Sequence, residues 1–569
     1  MPLVIVPIRP SAFILPPYYR MPLSRRELLT RFLGAPIATA AVGCGLGTPR
    51  LPPAGEFVGA SASLGHRLRG GSLPVFNADA AETVDVVIVG GGVSGLSAAR
   101  QLARSGVNFV LLELEPEPGG TSASGESALV KYPWGAHYVP VPLPDNYDLI
   151  SLFDEMGILE GRGDDGSPVV AEQFLCRDPQ ERLFVDGQWR EGLFPWAIAD
   201  DSDIAQFQAF QREIDTLVSW RDNEGRRAFT IPVANCSTSP EILQLDQQTM
   251  ADWLRSKELT SPLLHWYVDY SCRDDYGLTV EQTSAWAGLF YFAARKSAPG
   301  ADSQEFVTWP EGNGRLVSHL RSLCEDRIRT QHLVTEIATV NRDGQLVAEV
   351  VAVDVSGPSE VARSFRAKRV IFAAPPFLTP RLIRDYRESG PASVNELQFG
   401  SWLVANLHLK QRPAENGFPL SWDSVLYDSP SLGYVAATHQ KLLDYGPTVL
   451  TYYYPLCDDD PRVARQRLLD LSWEQWADVV LTDLEQAHPE IRSLTSRLDI
   501  MRWGHAMVRP VPGLFSGQAR QECSQPFGNV HFAHAALSGV ALFEEAFFHG
   551  NRAAAEVLAA LETPAETAV

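Results

Sequence analysis

The stretch that decides the fold runs from Val84 to Glu113 and reads VDVVIVGGGVSGLSAARQLARSGVNFVLLE. Residues 84–89 are apolar except for Asp85, and residues 107–112 are apolar except for Asn108, which is typical of two buried strands in a parallel sheet. Between them, 93–105 carries apolar side chains at helical spacing, directly after consecutive glycines. The stretch therefore predicts a βαβ unit and a parallel sheet.

The glycine-rich turn after the first strand has the GxGxxG spacing of a dinucleotide site. Gly90 permits the tight turn, Gly92 lets the backbone approach a pyrophosphate, and Gly95 allows the helix to pack closely on the strand. The phosphates would lie at the helix N-terminus beside Val93 and Ser94, where free N–H groups point outward. A strand, this turn and a helix in one unit predict a site for a dinucleotide cofactor.

Glu113 ends the second strand, where a carboxylate can accept both hydrogen bonds from an adenosine ribose. Six residues later come Gly119 and Gly120, and this Glu-x5-Gly-Gly pattern resembles the superfamily of flavin-containing amine oxidases and phytoene desaturases. In that family the glycine pair continues the diphosphate cradle and an arginine usually follows. Here Thr121 and Ser122 follow instead, so that charge contact is missing. The resemblance implies FAD as the cofactor.

Two further segments resemble the same superfamily. Residues 132–138, YPWGAHY, are similar to the segment that lies against the isoalloxazine ring, which implies flavin contacts from Gly135, Ala136 and His137. We expect His137 to orient the site rather than to act as a catalyst. Val334 matches the strand whose backbone meets the adenine.

The strand and helix near the C-terminus complete the resemblance, after segments 309–316 and 369–376 that match earlier elements of the FAD domain. In the family this C-terminal region caps the ribityl and pyrimidine end of the flavin, which implies a contact from Gly539. His534 stands where the family has a glycine that passes the diphosphate. Its ring either donates a hydrogen bond to an anionic flavin group or fills the loop.

The matches arrive in family order, which implies the fold class α/β, with a Rossmann-like FAD-binding domain interleaved with an α+β substrate-binding domain. Gly, Pro, Ser and Ala dominate the stretch before the first strand, which is typical of a linker. The predicted division is an export signal at 1–44, a linker at 45–80, FAD-binding segments at 81–150, 301–392 and 501–569, and substrate-binding segments at 151–300 and 393–500.

The N-terminus resembles a twin-arginine export signal. Arg25 and Arg26 precede an uncharged stretch from Phe32 to Gly43, which is too short for the roughly 20 apolar residues that span a bilayer. Cys44 ends a degenerate lipobox, so a lipid anchor there is an alternative to cleavage. We therefore expect a periplasmic or exported protein that uses the twin-arginine machinery, with no transmembrane span in the mature chain.

The composition excludes some classes of function. A formal charge of -21 leaves no basic stripe to neutralise phosphates, so nucleic acid is not expected as a partner. The same charge is compatible with a cationic substrate such as an amine, and also with a merely solvated acidic surface. The 7 cysteines are scattered without a CxxC pair and predict no metal site.

The sequence does not assign a catalytic residue. Many amine-oxidising relatives keep a lysine that holds a water near flavin N5, and the resemblance places Val404 at that position. Lys410 follows six residues later and cannot be assumed to substitute. Leu542 stands where the family has an aromatic residue, while Trp503 and His505 lie where the family approaches the active-site face.

Three hypotheses follow. The first is an exported FAD-dependent oxidoreductase that oxidises an amine or polyamine by hydride transfer to flavin N5. The second is a desaturase-like or isomerase-like flavoenzyme for an apolar isoprenoid, favoured by the aromatic middle of the chain. The third is a non-catalytic scaffold protein with structural FAD, which the missing lysine keeps open.

Overall fold

The computed structural model describes residues 53–562, apart from 60, 71–72, 165, 343 and 458–459. Its strands are β1 Phe57–Val58, β2 Glu82–Val89, β3 Phe109–Leu112, β4 Ser124–Glu126, β5 Lys131–Pro133, β6 Tyr138–Pro140, β7 Leu159–Arg162, β8 Pro168–Val170, β9 Glu181–Val185, β10 Gln188–Glu191, β11 Phe306–Thr308, β12 Ile328–Arg329, β13 His332–Arg342, β14 Gln345–Asp354, β15 Val361–Phe372, β16 Phe399–Leu409, β17 Asp423–Leu426, β18 Tyr434–Ala436, β19 Thr448–Pro455, β20 Thr495–Val508 and β21 Val530–Phe532.

The α-helices of the same described residues lie mostly between the strands and around their edges. They are α1 Ala62–Gly65, α2 Val93–Arg104, α3 Tyr147–Glu155, α4 Asp201–Ser219, α5 Pro240–Leu243, α6 Met250–Ser256, α7 Pro262–Tyr276, α8 Ala285–Ala293, α9 Gly314–Ser322, α10 Thr379–Leu382, α11 Arg384–Ser389, α12 Pro461–Asp470, α13 Trp473–Glu485, α14 Ile491–Leu494, α15 Ala519–Ser524 and α16 Phe543–Glu562.

The predicted βαβ unit forms the centre of a seven-stranded sheet. Its strand order is β12-β3-β2-β15-β14-β13, and β21 pairs with β15. β12, β3, β2, β15 and β21 run parallel to one another, whereas β14 is antiparallel to both β13 and β15. α2 and α16 cover one face through Leu96 and Phe547, and helices α4–α8 pack on the other side. The layers confirm the predicted α/β class with a Rossmann-like domain.

The second large sheet has eight strands in the order β1-β20-β16-β19-β18-β17-β9-β10. Side chains of β16 alternate between its two faces, as a strand requires. Leu403 and Leu407 pack with Leu468 and Trp476 from α12 and α13. Val404 instead joins a cluster on the opposite face. One face is therefore closed by helices, and the other is free to form the wall of a cavity.

The strands of the two sheets alternate along the chain, which agrees with the interleaved domains that the sequence implies. The predicted boundary at residue 501 is the exception. β20 stays paired with β16 as far as Val508, so residues 501–508 belong to the second sheet. The ladder has a register shift between Gly400 and Trp402 on β16 and continues beyond it to the pair of Phe399 and Val508.

The stretch predicted as a linker contributes to the fold where the structure describes it. Phe57 and Val58 pair in parallel with Ile500 and Met501, and β1 thereby covers the edge of β20. Ser61 then donates to the carboxylate of Glu115 through its backbone N–H and its hydroxyl. A linker assignment for all of 45–80 is therefore too broad, since composition does not show the strand edge that this segment covers.

Predictions for 1–44 lie outside the described residues. Within the described part, no helix is long and apolar enough to cross a membrane. Cys44 also lies outside, and the other six cysteines are buried and form no disulfide with one another. No three His, Cys, Asp or Glu side chains among the described residues are grouped to hold a metal ion.

Candidate active site

The glycine turn shows why each of its glycines is needed. Gly90 has a φ of +104°, and an added Cβ would lie 2.9 Å from the carbonyl oxygen of Ala373. A Cβ on Gly95 would fall 1.9 Å from the carbonyl oxygen of Gly90. A Cβ on Gly92 would meet no atom within 4 Å. Two glycines therefore serve backbone packing, while the open space at Gly92 is where a phosphate group could approach the chain.

Glu113 lies at the end of β3 beside this turn. Its carboxylate accepts hydrogen bonds from the backbone N–H of Gly91 and, at 2.7 Å, from that of Glu115. Burial raises the pKa of this carboxyl. Two carboxylate oxygens offer about four lone-pair positions, so capacity remains for the two hydroxyls of a ribose. The arrangement fits the role that the sequence predicts.

The glycine pair after Glu113 is brought directly against the turn. The N–H of Gly119 donates to the carbonyl of Gly91 at 2.8 Å. The carbonyl of Thr121 then accepts the N–H of Ala136 at 2.9 Å. A Cβ on Gly135 would fall 2.2 Å from that same carbonyl oxygen, so only glycine fits there. The two predicted cofactor segments, at 119–121 and 135–136, are thus adjacent.

Val334 lies in β13 of the seven-stranded sheet, and Gly539 lies in the turn before α16. Val334 is buried in β13, whose first N–H, from His332, donates to the carbonyl of Glu113 at 2.8 Å. Gly539 has a φ of +84°, and an added Cβ would lie 2.9 Å from Arg520. The structure places Val334 near the predicted ribose site and shows that a turn conformation requires glycine at 539.

His534 is occupied within its own turn. Its Nδ1 accepts the N–H of Ala536 at 3.0 Å, and its ring packs against Phe399. Burial lowers the pKa of His534 to about 4, so the imidazole is neutral. The ring lines a small apolar cavity of about 250 Å³ with Cys523 and Phe532. These contacts favour the loop-filling role among the two that the sequence left open.

A large cavity opens next to the 135–138 segment. It holds about 1000 Å³ of space, including its mouth. His137 stacks on Tyr453 with ring centroids 4.8 Å apart, and the Tyr453 hydroxyl donates to the carbonyl of Gly135 at 2.9 Å. Burial lowers the pKa of His137 to about 4. A neutral histidine held by stacking supports the predicted orienting role.

Val404 occupies the position at which the family resemblance predicts a lysine. Val404 is 1% exposed and lines the cavity. Lys410 lies just beyond the end of β16, where its Nζ donates to the carbonyl of Ser493 at 3.0 Å, and it does not line the cavity. Trp503 lines the cavity, and its Nε1 donates to the carbonyl of Trp134 at 2.7 Å.

His505 does not reach the cavity. Its ring stacks on Phe377 with centroids 4.1 Å apart, and burial lowers its pKa to about 3. Leu542 and Phe543 do line the cavity, so the position that carries an aromatic residue in relatives holds an aliphatic one here. Of the flavin-side residues that the sequence singled out, Val404, Trp503 and Leu542 converge, whereas His505 and Lys410 lie elsewhere.

The acidic lining of the cavity was not found from the sequence. Asp274 and Asp275 come from α7, Asp423 from β17 and Glu544 from α16. These positions are far apart in the chain, and no spacing rule links them. The available signal was weak: acidic residues inside apolar segments, such as Asp423 between Trp422 and a run of strand residues.

The guanidinium of Arg295 faces these carboxylates. Arg295 lines the cavity and pairs with Asp275 at 2.8 and 3.0 Å, and both side chains are 5% exposed. Burial raises the pKa of Asp274 to about 7, helped by the neighbouring Asp275. Burial likewise raises the pKa of Glu544 to about 7 and that of Asp423 well above its usual range. These carboxyls are therefore only partly ionised near neutral pH, and a bound cation would favour their charged forms.

The fold and this site define a flavoprotein with a Rossmann-like domain. The family model described as "Flavin containing amine oxidoreductase" matches residues 93–558. The chain belongs to that family, and its cofactor is FAD. The glycine turn, Glu113 and the 119–121 and 135–136 segments are the residues that would hold it.

Similar proteins include an L-amino acid dehydrogenase of Synechocystis sp., 25% identical over 304 residues, or 52% of this chain and 57% of that protein. Flavin-containing amine oxidase A of Equus caballus is 26% identical over 55% of this chain and 53% of its own length. The chain thus spans about half the length of these curated relatives.

Two solved structures share the fold. Wild-type putrescine oxidase bound to putrescine has a TM-score of 0.59 at 18% identity, covering 84% of this chain and 100% of its own. Cyclohexylamine oxidase from Brevibacterium oxydans IH-35A has a TM-score of 0.57 at 17% identity, with the same coverage of 84% and 100%.

Proposed function

We propose that this protein is an exported FAD-dependent oxidoreductase that oxidises an amine. The observation that carries the proposal is the acidic cavity beside the 135–138 segment. Asp274, Asp423 and Glu544 line it without an ion-pair partner among the described residues, while Arg295 is neutralised by Asp275. A pocket of one sign with apolar walls concentrates ligands of the opposite sign. An alkylammonium ion is the simplest such ligand.

When bound, the flavin supplies a two-electron acceptor for the hydride that leaves the carbon next to the amine nitrogen. The chain's own residues bind the cation, exclude water and take its proton. Val404 and Leu542 form apolar walls of the cavity. The stacked rings of His137 and Tyr453 form a further wall, which their contact makes rigid. Such walls hold a substrate in one orientation and strengthen the charge interactions within the cavity.

Glu544 is the residue best placed to accept a proton. It is 5% exposed, lines the cavity and lies in the first turn of α16, the helix that caps the flavin end in relatives. The pKa of Glu544 is about 7, which is closer to the pKa of an alkylammonium ion than the pKa of an ordinary carboxyl group is. The ammonium must lose a proton before its carbon can lose a hydride, so we assign that proton to the Glu544 carboxylate.

Anaerobic mixing of the purified FAD-loaded protein with amines tests the proposal. We expect primary amines to bleach the flavin absorbance, because the hydride reduces the bound cofactor. Apolar isoprenoids are the comparison, since bleaching by these alone would favour a desaturase-like activity. No bleaching by any substrate class would point to structural FAD and contradict the proposal.

A second candidate substrate is an amino acid, and Arg295 favours it. A guanidinium lining the cavity could meet a substrate carboxylate, and one of the similar proteins is an L-amino acid dehydrogenase. Arg295 is nevertheless already bound by both oxygens of Asp275. A substrate carboxylate would also face Asp274 and Glu544. We therefore place the simple amine first, and the same bleaching experiment with matched amino acids separates the two.

Export is supported by the sequence alone. Arg25 and Arg26 stand before the short apolar stretch, as in twin-arginine signals. Replacing both with Lys should retain the full-length protein in the cytoplasmic fraction. Cys44→Ala tests the lipid anchor separately, because it should release an anchored protein from membranes but leave a cleaved one unchanged. Periplasmic delivery of the Arg25→Lys, Arg26→Lys variant would contradict the signal.

A further inference from the structure

A chain of hydrogen bonds connects side chains on one face of α16 with the turn before that helix. His549 lies four residues after Glu545, and Arg552 lies three residues after His549, so the three share a helix face. The Ser538 hydroxyl lies 2.5 Å from Oε2 of Glu545 and 2.8 Å from Nε2 of His549. Nε of Arg552 donates to Nδ1 of His549 at 3.2 Å. These four side chains do not line the cavity.

Arg552 determines the direction of this chain. A guanidinium group only donates, so Nδ1 of His549 accepts and the ring proton is on Nε2. Nε2 therefore donates to the Ser538 oxygen, and the Ser538 hydroxyl donates to Glu545. Burial, followed by the charge of Arg552, lowers the pKa of His549 well below its usual value, so the ring stays neutral. Every donor in the chain thus points toward Glu545.

Glu545 is a fully buried carboxyl group with two donors. It is 0% exposed, and its Oε1 accepts the backbone N–H of Val233 at 2.7 Å, while Oε2 accepts the Ser538 hydroxyl. Hydrogen bonds donated to a carboxylate favour its charged form. They also tie the first turn of α16 to two separate segments of the chain. Glu545 therefore combines a buried charge with an anchor for this part of the helix.

Glu544, to which we assign the substrate's proton, is the neighbouring residue. It lines the cavity, and among the described residues its carboxylate accepts a hydrogen bond from its own backbone N–H. Burial, and the charge of Glu544 beside it, raise the pKa of Glu545 to about 7. An interaction between two charges is reciprocal, so ionised Glu545 also opposes ionisation of Glu544. Because Glu545 has the additional donors, it ionises first, and Glu544 ionises beside a negative charge.

We propose that Glu545 is a positioning residue for Glu544. Its hydrogen bonds hold the first turn of α16 so that Glu544 faces the cavity, and its buried charge makes Glu544 a stronger proton acceptor. The proposal rests on the proposed amine oxidation, with Glu544 as the group that accepts the proton. Ser538 and His549 contribute by directing a hydroxyl proton at Glu545, which keeps the charge on that carboxylate.

Other titratable and charged groups face the two carboxyls from the elements packed against α16. Those near Glu544 are Tyr138, Asp275 and Arg295, and those near Glu545 are Cys236, Arg520 and, through Ser538, His549. These groups stay unchanged in the comparison of the parent with Glu545→Gln. That comparison therefore removes one charge from constant surroundings.

The pH profile of flavin reduction tests the proposal. The FAD-loaded parent and Glu545→Gln are mixed anaerobically with one amine at a series of pH values, and the flavin absorbance gives the rate. The rate should rise with pH as Glu544 loses its proton. In Glu545→Gln the midpoint should lie about one pH unit lower, because the neighbouring charge is gone. The plateau at high pH should also fall, since a weaker base accepts the proton less readily.

A second variant and a second measurement support the first. Ser538→Ala removes one donor to Glu545 and should move the midpoint in the same direction by less than Glu545→Gln does. Binding of an alkyltrimethylammonium ion, whose charge is fixed, reports the ionisation of Glu544 without any chemistry. Its affinity, measured from the bound flavin's absorbance, should rise at a lower pH in Glu545→Gln than in the parent.

Glu562→Gln is the matched control. It makes the same change on the same helix, but Glu562 is exposed at the end of α16, so the midpoint should stay where it is in the parent. The flavin spectrum and a melting curve show that each variant is folded.

The outcomes separate the proposal from the proposed function. A lower rate with an unchanged midpoint in the folded variants would show a purely structural role and overturn the proposal, while leaving amine oxidation intact. A midpoint that moves to higher pH in Glu545→Gln would overturn it as well. Reduction of the flavin by no amine at any pH would remove the proposed function, and the positioning role with it.

Discussion

The glycine turn and the acidic cavity are built in opposite ways. The turn and its carboxylate come from one stretch, 90–113, in which sequence spacing directly sets the geometry. The cavity takes its carboxylates from α7, β17 and α16, which are brought together only by tertiary packing. Cofactor chemistry is therefore encoded locally, whereas substrate chemistry depends on the tertiary fold.

The largest expected effect lies in the turn. Gly95→Ala would place a Cβ 1.9 Å from the Gly90 carbonyl oxygen, so α2 must move away from β2. We expect a loss of more than about 2 kcal/mol in the free energy of unfolding and a protein purified without FAD. Chemical denaturation and the ratio of flavin to protein absorbance measure both.

Gly92→Ala is the matched comparison. Its Cβ meets nothing within 4 Å, so the stability of the FAD-free protein should stay within about 0.5 kcal/mol of the parent. FAD affinity should still fall, because the added methyl occupies the space for the phosphate. If both variants were equally stable without FAD, the division between packing and cofactor glycines would be wrong.

The same contrast explains how much could be predicted. The βαβ unit, its glycines and Glu113 followed from periodicity and spacing, since neighbours in sequence are neighbours in space there. Val404 at the missing lysine position also followed, from the resemblance. The roles of His534 and Lys410 could not be predicted from the sequence. They depend on the direction in which the His534 ring points and on which carbonyl the flexible Lys410 side chain reaches.

The acidic cavity should make binding of a dication depend on pH. Carboxyl groups whose pKa is raised to about 7, such as Asp274 and Glu181, are neutral below that pH and charged above it. We expect affinity for a bis-quaternary alkane, whose charges are fixed, to rise about tenfold from pH 6 to pH 8. The charged and titratable groups that line this cavity include Asp274, Asp275, Asp423, Glu544, Arg295, Tyr138 and Tyr270, and Glu181 and Arg273 act on them from outside the lining.

Titration of the bound flavin's absorbance with the bis-quaternary ligand measures that affinity. A mono-quaternary alkane of equal length is the control, and its affinity should change less because it brings one fixed charge to these carboxyls instead of two. Equal affinity for the dication at both pH values would show that these carboxyls do not titrate in this range.

Glu181 and Asp423 are half-buried carboxyls without an ion-pair partner among the described residues, and they should lower the stability of the fold. Burial raises the pKa of Glu181 to about 7, so the folded protein holds this proton more tightly than the unfolded chain does. Stability is then lost as pH rises from the unfolded pKa through the folded one. Glu181→Gln should be more stable than the parent by about 1–3 kcal/mol at pH 8 and by less than about 1 kcal/mol at pH 5.

Denaturation of both proteins at the two pH values gives the comparison. Asp428→Asn provides the control, since an exposed carboxylate should add no such pH-dependent difference. A Glu181→Gln variant less stable than the parent at pH 8 would mean that an unrecognised cation already compensates these carboxyls.

The smallest expected effect is at Lys410. Its Nζ donates to the carbonyl of Ser493 at the end of β16, outside the cavity that Val404 lines. Lys410→Met should therefore change the rate of flavin reduction by less than about twofold, because a surface hydrogen bond lost to solvent contributes little. Stopped-flow reduction of the bound flavin by one amine substrate gives this rate. A large loss would mean that this lysine reaches the site when substrate binds, and that proton acceptance cannot be assigned to Glu544 alone.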